Sequence, residues 1–286
     1  TAVRTVRINN RLGLHARDVR ARRVVLVADA PGRVGPPHHA PVGPVLDQVG
    51  AEAQPQEVVR KAKAAAAQFN IGKAYGSYEQ LLADRDIQSV YIPLPNDMHV
   101  EWAERALAAG KHVLLEKPAG MSAEEAQRLI PARDRSGKIL VEAFMVRYAP
   151  QWKRTLDIIA SGQVGSVHGV QAYACFVNID PANIRNRTDA GGGALMDIGC
   201  YAILFARLAF GGEPRRVISL IDRDPQMKID RHTSMLLDFP NGQATLFVST
   251  QLARTQRVRI LGTKGSIDIQ IPINMLAPFA ADYPAA

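Results

Sequence analysis

The sequence predicts an α/β plus α+β chain: a Rossmann-like domain with a parallel sheet, followed by an open, mainly antiparallel sheet domain. Between residues 58 and 145, single helices alternate with short apolar strands, which is the pattern of βαβ crossovers. Beyond Arg147, one helix precedes a series of strand-like segments joined by tight turns, which favours antiparallel pairing. The 286 residues, 47% of them hydrophobic, suffice for two packed domains.

Caps and apolar stripes define the elements of the first domain. Asn96 is placed to cap a helix that Gly110 ends, and Ser122 with Glu125 forms a capping-box pattern at the start of another helix. Predicted helices cover residues 61–69 and 78–83, the segment between Asn96 and Gly110, and residues 123–134; predicted strands cover residues 24–28, 89–94, 112–115 and 139–143.

Turn signals organise the second domain. A helix over residues 151–160 stops at Gly162, and Asn241-Gly242 and Lys264-Gly265 are typical of hairpin turns. Predicted strands cover residues 167–177, 216–221, 234–239, 243–249, 257–261 and 266–271. We therefore place the first domain at residues 1–145 and the second at residues 146–286.

Composition excludes several classes of function. No apolar run reaches the length of about 18 residues needed to span a bilayer, and the arginine-rich N-terminus lacks the apolar core of a secretory signal, so we expect a cytoplasmic protein without a membrane partner. The net charge is +8, but the basic segment before residue 60 does not interleave with aromatic residues, which argues against nucleic acid. Cys175 and Cys200 are expected to be free thiols. His38-His39 lacks a third ligand, so no metal site is expected.

Three motifs occur in a fixed order: Tyr91-Ile-Pro-Leu-Pro-Asn-Asp-Met-His99, a segment over 108–118 that ends in Glu116-Lys117-Pro118, and Gly191-Gly-Gly-Ala-Leu-Met-Asp-Ile-Gly-Cys-Tyr201. In order and spacing they resemble the glucose-fructose oxidoreductase/inositol dehydrogenase family, over residues 61–273. The tyrosine at position 201 resembles the branch of dimeric dihydrodiol dehydrogenase and glucose-fructose oxidoreductase, because members that act on inositols usually carry histidine there. The resemblance implies a Rossmann-like domain followed by a domain for substrate binding and oligomerisation.

The resemblance also assigns roles to residues. Lys117 would lie near the nicotinamide and the substrate hydroxyl. Ligands bind in the crevice at the carboxyl ends of parallel strands, and a cation there can stabilise an alkoxide. Tyr201 would be the general acid/base, with its pKa lowered by the lysine and the cationic nicotinamide. Asp197, four residues earlier on the same predicted helix face, would orient substrate hydroxyls. The expected cofactor contacts are Leu94, Pro95, Asn96, His99, Glu116, Lys117 and Arg147.

The residues alone permit plainer interpretations. A lysine on a loop is usually solvated, and Tyr201 could be a packing residue on an apolar helix. His99 could be a helix histidine satisfied by its neighbours. Gly191–Gly193 could form a flexible loop, or could allow a ligand to approach the backbone at a helix start.

The first 57 residues depart from the family pattern. They contain no Gly-x-Gly-x-x-Gly/Ala run before a helix, and Asp29 alone could imitate the acid that binds a ribose hydroxyl. The parallel sheet is therefore expected to be incomplete at its N-terminus, and the C-terminus also stops earlier than in the family. One hypothesis is a shifted reading frame before residue 60 and another near the end.

The predicted function is hydride transfer between NAD or NADP and a CH–OH or carbonyl carbon of a sugar, polyol or trans-diol. The substrate is a small molecule, and the antiparallel sheet would form the far wall of the site and the face of a homo-oligomer. The choice between NAD and NADP lies in the anomalous region and stays open. The alternative is an inactive family relic, or a sugar-binding or interaction module that binds no dinucleotide.

Overall fold

The computed structural model describes Arg4–Ile8, Val24–Ala28, Leu46–Asp47 and residues 55–273, with side chains from residue 59 onward. The described residues form two compact units. The first holds Val24–Ala28, Leu46–Asp47, residues 55–143 and residues 189–191, and the second holds Arg4–Ile8, residues 144–188 and residues 192–273. Asp29, His38-His39, the expected site of the glycine-rich turn and the tail after residue 273 lie outside the described residues.

The strands are β1 (Arg4–Ile8), β2 (Val24–Ala28), β3 (Leu46–Asp47), β4 (Ser89–Ile92), β5 (His112–Leu115), β6 (Leu140–Glu142), β7 (Val167–Val177), β8 (Arg216–Arg223), β9 (Asp230–Phe239), β10 (Gly242–Ser249), β11 (Gln251–Gly262) and β12 (Gly265–Ile269). The α-helices are α1 (Pro55–Gln68), α2 (Tyr78–Ala83), α3 (His99–Ala108), α4 (Ala123–Gln127), α5 (Leu129–Ser136), α6 (Pro150–Ala160) and α7 (Cys200–Phe210). Within the described ranges, no helix is long and apolar enough to cross a membrane.

The first unit is built on a parallel sheet in the order β3-β2-β4-β5-β6. Helices lie between β3 and β4, between β4 and β5 and between β5 and β6, so the predicted Rossmann-like architecture is confirmed. Alternate residues of β4 and β5 are buried and pack against the apolar stripe of α3; the central members are Val90, Ile92, Val113, Leu115, Val100, Ala103 and Leu107. The carboxyl ends of β4, β5 and β6 therefore lie side by side at one edge of the sheet.

The predicted helix caps have mixed outcomes. Ser122 caps α4 as predicted, because its Oγ accepts a hydrogen bond from the Glu125 amide at 3.2 Å. The predicted cap at Asn96 is wrong. Asn96 begins a 3₁₀ turn over Asn96–Met98, α3 starts only at His99, and the Asn96 amide instead donates to the Gly191 carbonyl at 2.8 Å. The side chain of Asn96 therefore binds a backbone group distant in sequence instead of the first amides of the helix.

The second unit contains a mixed, mainly antiparallel sheet in the order β1-β12-β11-β7-β10-β9-β8. The predicted turns join β9 to β10 and β11 to β12, both antiparallel pairs. Parallel pairs also occur, between β7 and β10 and between β1 and β12. Arg4–Ile8 thus joins this second sheet, whereas the sequence assigned residues 1–145 to the first domain. One face of the sheet packs on α7 around a core that includes Trp152 stacked on Phe205 at 4.3 Å.

Candidate functional site

The segment Glu116–Ala119, here called the lysine turn, leaves the carboxyl end of β5. The Glu116 amide donates to the Ile92 carbonyl at 3.0 Å, which continues the pairing of β5 with β4 into the turn. The peptide bond between Lys117 and Pro118 is cis, and Lys117 is half-buried. The predicted catalytic lysine therefore stands where a parallel sheet offers its ligand-binding edge.

The backbone of the lysine turn is held by a side chain of the turn itself and by side chains from β6 and α3. The Lys117 amide donates to Glu116 Oε2 at 3.1 Å, and the Ala119 amide donates to Glu142 Oε1 at 2.8 Å. The Pro118 carbonyl oxygen lies 2.7 Å from His99 Nδ1. Since proline has no amide hydrogen, these bonds account for both backbone donors from Lys117 to Ala119. The position of the Lys117 backbone is thereby fixed by Glu116 of the turn, by Glu142 of β6 and by His99 of α3.

His99 links the ends of two strands. Its ring is fully buried, and Nε2 lies 2.7 Å from the Leu94 carbonyl while Nδ1 faces that of Pro118. Burial lowers the pKa of His99, and the two carbonyls oppose that shift only in part. Both ring nitrogens thus face backbone, as the plainer interpretation of this histidine held. Its predicted cofactor contact stays a prediction.

The other loop residues predicted to bind cofactor follow β4. The Leu94 side chain is buried in the core, Pro95 and Asn96 are half-buried, and Asn96 binds the Gly191 carbonyl. Gly191 has a φ of +73°, and a Cβ there would lie 2.3 Å from the Met121 sulfur. Close packing within this unit therefore requires glycine at 191.

The next two glycines belong to the second unit and are equally constrained. A Cβ on Gly192 would lie 2.5 Å from the Arg185 carbonyl oxygen, and one on Gly193, at a φ of +120°, would lie 1.9 Å from Asp230 Oδ1. Asp230 Oδ2 accepts hydrogen bonds from the Leu195 amide at 2.7 Å and from the Thr233 hydroxyl at 2.9 Å. The described contacts explain these two glycines by packing, and the ligand approach that the sequence suggested stays a prediction.

Asp197 and Tyr201 lie at the start of the helical segment that follows. Residues Leu195–Gly199 form a π-helical turn and α7 begins at Cys200, so the regular α-helical spacing predicted for Asp197 and Tyr201 is interrupted. The Arg185 Nε donates to Asp197 Oδ2 at 3.0 Å. A widened turn of this kind often marks a functional site.

Tyr201 is buried in an aromatic environment. Its residue surface is only 6% exposed, and its ring meets Phe144 edge to face at 5.3 Å. The ring therefore packs in the core, as the plainer interpretation held, and that packing also fixes its orientation. Arg147, the remaining predicted contact, is exposed on the turn Met145–Tyr148.

Sequence reasoning missed four residues of these two regions. Glu142 ends β6 and could have been found from the rule that carboxyl ends of parallel strands meet. Tyr91 lies on the same face of the sheet as Glu116, and its hydroxyl donates to Glu116 Oε1. Arg185 and Asp230 carry no local signal, since their partners lie 12 and 35 residues away. Within the described residues, no cluster of three or more His, Cys, Asp or Glu could hold a metal ion.

Comparison with known families matches both halves of the chain. Residues 30–144 match the model described as "Oxidoreductase family, NAD-binding Rossmann fold", and residues 152–268 match the GFO/IDH/MocA C-terminal domain. These two matches agree with the family, and with the order of domains, that the three sequence motifs predicted.

Individual proteins are also similar. An uncharacterized oxidoreductase of Rhizobium meliloti is 53% identical over 75% of this chain and 64% of its own length. D-xylose 1-dehydrogenase (NADP(+)) 2 of Haloferax volcanii is 38% identical over 78% of this chain and 68% of its own. A 3-ketoreductase of Actinomadura kijaniata, solved with NADP and TDP-benzene, is 32% identical with a TM-score of 0.67, over 72% of this chain and 63% of its own. The chain thus spans less than two thirds of the first relative.

Proposed function

Because the chain belongs to the GFO/IDH/MocA family of oxidoreductases, we propose that it transfers hydride between NAD or NADP and a CH–OH or carbonyl carbon of a sugar, polyol or trans-diol. The observation that carries this proposal is the lysine turn, whose backbone is fixed at the carboxyl edge of a parallel sheet. A bound nicotinamide would supply the hydride acceptor or donor. The chain would supply binding, orientation and proton transfer.

The residues of the first unit suit a dinucleotide. The loop after β4, with Pro95 and Asn96, and the lysine turn after β5 leave adjacent strands at the edge where such ligands bind. Both are anchored by His99. An ammonium group on Lys117 would then stabilise negative charge developing on the substrate oxygen, at little reorganisation cost because its turn is already fixed.

For proton transfer we propose Tyr201, with Asp197 orienting the substrate. The aromatic contact with Phe144 holds the tyrosine ring in one orientation, and Arg185 holds the Asp197 carboxylate. Positioned groups of this kind contribute through general acid/base catalysis. Arg147, Leu94 and Glu116 remain proposed cofactor contacts.

Cofactor titration with a substrate screen tests the proposal. NAD or NADP should bind with a dissociation constant below about 1 mM, and turnover should appear with aldoses, polyols or trans-diols, D-xylose being tried first because of the Haloferax relative. Tyr201→Phe should lower kcat by about two to four orders of magnitude. Tyr148→Phe, at a 62% exposed tyrosine of the same unit, is the matched control. Absence of cofactor binding would reject the proposal.

The relatives described above do not favour the alternative of an inactive relic or sugar-binding module.

We further propose a homo-oligomer, formed through the open face of the second sheet. Ile218 and Leu220 of the edge strand β8 are 67% and 77% exposed and lie on the same side of it, an apolar surface that a second copy could cover. Light scattering of Leu220→Glu against the parent chain tests this. A cytoplasmic location stays a prediction.

A further inference from the structure

The hydroxyl of Tyr91 makes a hydrogen bond that the function proposed above does not yet use. Tyr91 lies opposite Leu114 in the parallel pairing of β4 with β5, so Glu116, two residues beyond Leu114, points to the same face of the sheet. The tyrosine side chain is long enough to span that offset, and its hydroxyl donates to Glu116 Oε1. The other oxygen, Oε2, accepts from the Lys117 amide.

We propose that Tyr91 is a positioning residue for Lys117 and acts through Glu116. The carboxylate stands next to Lys117 in sequence and is the nearest acid along the chain. One oxygen bound to Tyr91 and the other to the Lys117 amide orient it toward the backbone of its own turn. Hydrogen bonds to a carboxylate are among the stronger ones in proteins.

Without the phenol, Glu116 gains freedom to rotate toward the Lys117 ammonium. An ion pair between these neighbours would hold the ammonium away from a substrate oxygen and partly neutralise its charge. The phenol therefore sets how much of the lysine charge reaches the reacting atoms, and it does so without contacting the substrate. This inference rests on the proposed role of Lys117.

Tyr91→Phe is the direct test, and the chain offers a matched control. Tyr75 in the same unit also donates from its hydroxyl to a carboxylate, Asp84 Oδ2, at 2.6 Å, and it is likewise half-buried. Tyr75→Phe removes the same kind of bond away from the lysine turn. We expect Tyr91→Phe to lower kcat about tenfold, with KM and the cofactor dissociation constant within about twofold of the parent. Tyr75→Phe should leave kcat unchanged.

A second readout does not depend on turnover. Labelling of Lys117 by trinitrobenzenesulfonate, followed by peptide mass spectrometry on the whole chain, reports how available its amine is. We expect labelling in Tyr91→Phe to slow at least threefold, roughly the effect of a modest ion pair, and to stay at the parent rate in Tyr75→Phe. In a Glu116→Gln background, where residue 116 no longer carries a carboxylate to pair with the lysine, Tyr91→Phe should have no further effect on labelling or kcat.

The outcomes separate this inference from the proposed function. An active parent whose kcat and Lys117 labelling are unchanged by Tyr91→Phe would overturn the positioning role and leave the function standing. A parent that binds no NAD or NADP would reject the function, while slower labelling in Tyr91→Phe alone would still support control of Lys117 by Tyr91. Equal slowing in the Glu116→Gln background would also overturn it, because the effect would then not pass through the carboxylate.

Discussion

The lysine turn and the pair Gly192–Gly193 are both held tightly, but by opposite means. In the first unit, side chains reach the backbone of the turn: Glu116, Glu142 and His99 bind its polar groups. In the second unit, the absence of side chains lets Arg185 and Asp230 approach the glycine backbone. A turn held by side chains should weaken gradually as each bond is removed, whereas one held by close approach should fail when a single methyl group is added.

The largest effect is expected for Gly193→Ala. Its φ of +120° is unfavourable for any residue with a Cβ, and the new atom would meet Asp230 Oδ1 at 1.9 Å. Backbone strain and overpacking together should lower the free energy of unfolding by about 3 kcal/mol or more. Chemical denaturation measures this. Gly212→Ala, in the same unit with nothing within 4 Å of the added Cβ, should change stability by less than about 1 kcal/mol. Equal losses in both variants would refute the close-approach explanation.

The next largest effect is expected for Asp230→Ala. The substitution leaves the Leu195 amide without the carboxylate that accepts from it at 2.7 Å, in a region where Asp230 is only 8% exposed. An unsatisfied buried donor costs about 1–3 kcal/mol. Asp222→Ala, which removes a half-exposed partner of Arg231, should cost less than about 1 kcal/mol. If the two variants unfold at the same denaturant concentration, the hydrogen bond from the Leu195 amide to Asp230 does not contribute to stability as expected.

The two regions also differ in how far sequence could predict them. The position of Lys117 followed from a strand, a turn and the rule for parallel sheets, all of which are local or general. The interpretation of Asn96 as a cap failed because its amide binds the Gly191 carbonyl, 95 residues away. The requirement for glycine at 193 comes from Asp230 on another strand. Contacts that join distant segments leave no periodicity or spacing in the chain, so only the folded structure supplies them.

A smaller effect is expected at Glu142. Replacement by alanine removes the acceptor for the Ala119 amide, bonded at 2.8 Å, and should lower the free energy of unfolding by about 1–2 kcal/mol. Glu142→Gln keeps an oxygen acceptor in the same place and should restore most of that loss. Thermal unfolding of the three proteins distinguishes them. Should glutamine cost as much as alanine, charge rather than the hydrogen bond to the turn would be responsible.

The smallest expected effect is the contribution of His99 to the pH dependence of the free energy of unfolding. Burial lowers its pKa below the ordinary value of 6.5, so between those two values the unfolded chain binds a proton that the folded chain does not. Stability from this residue is therefore present above the unfolded pKa and declines as pH falls through 6.5 toward the folded pKa. Denaturation between pH 7.5 and 5 should show a shallower decline for His99→Gln than for the parent, whatever its absolute stability. His168→Gln, at an exposed ring, is the control. A parent that gains stability on acidification relative to His99→Gln over the same range would contradict the lowered pKa, because His99 would then be protonated in the folded chain.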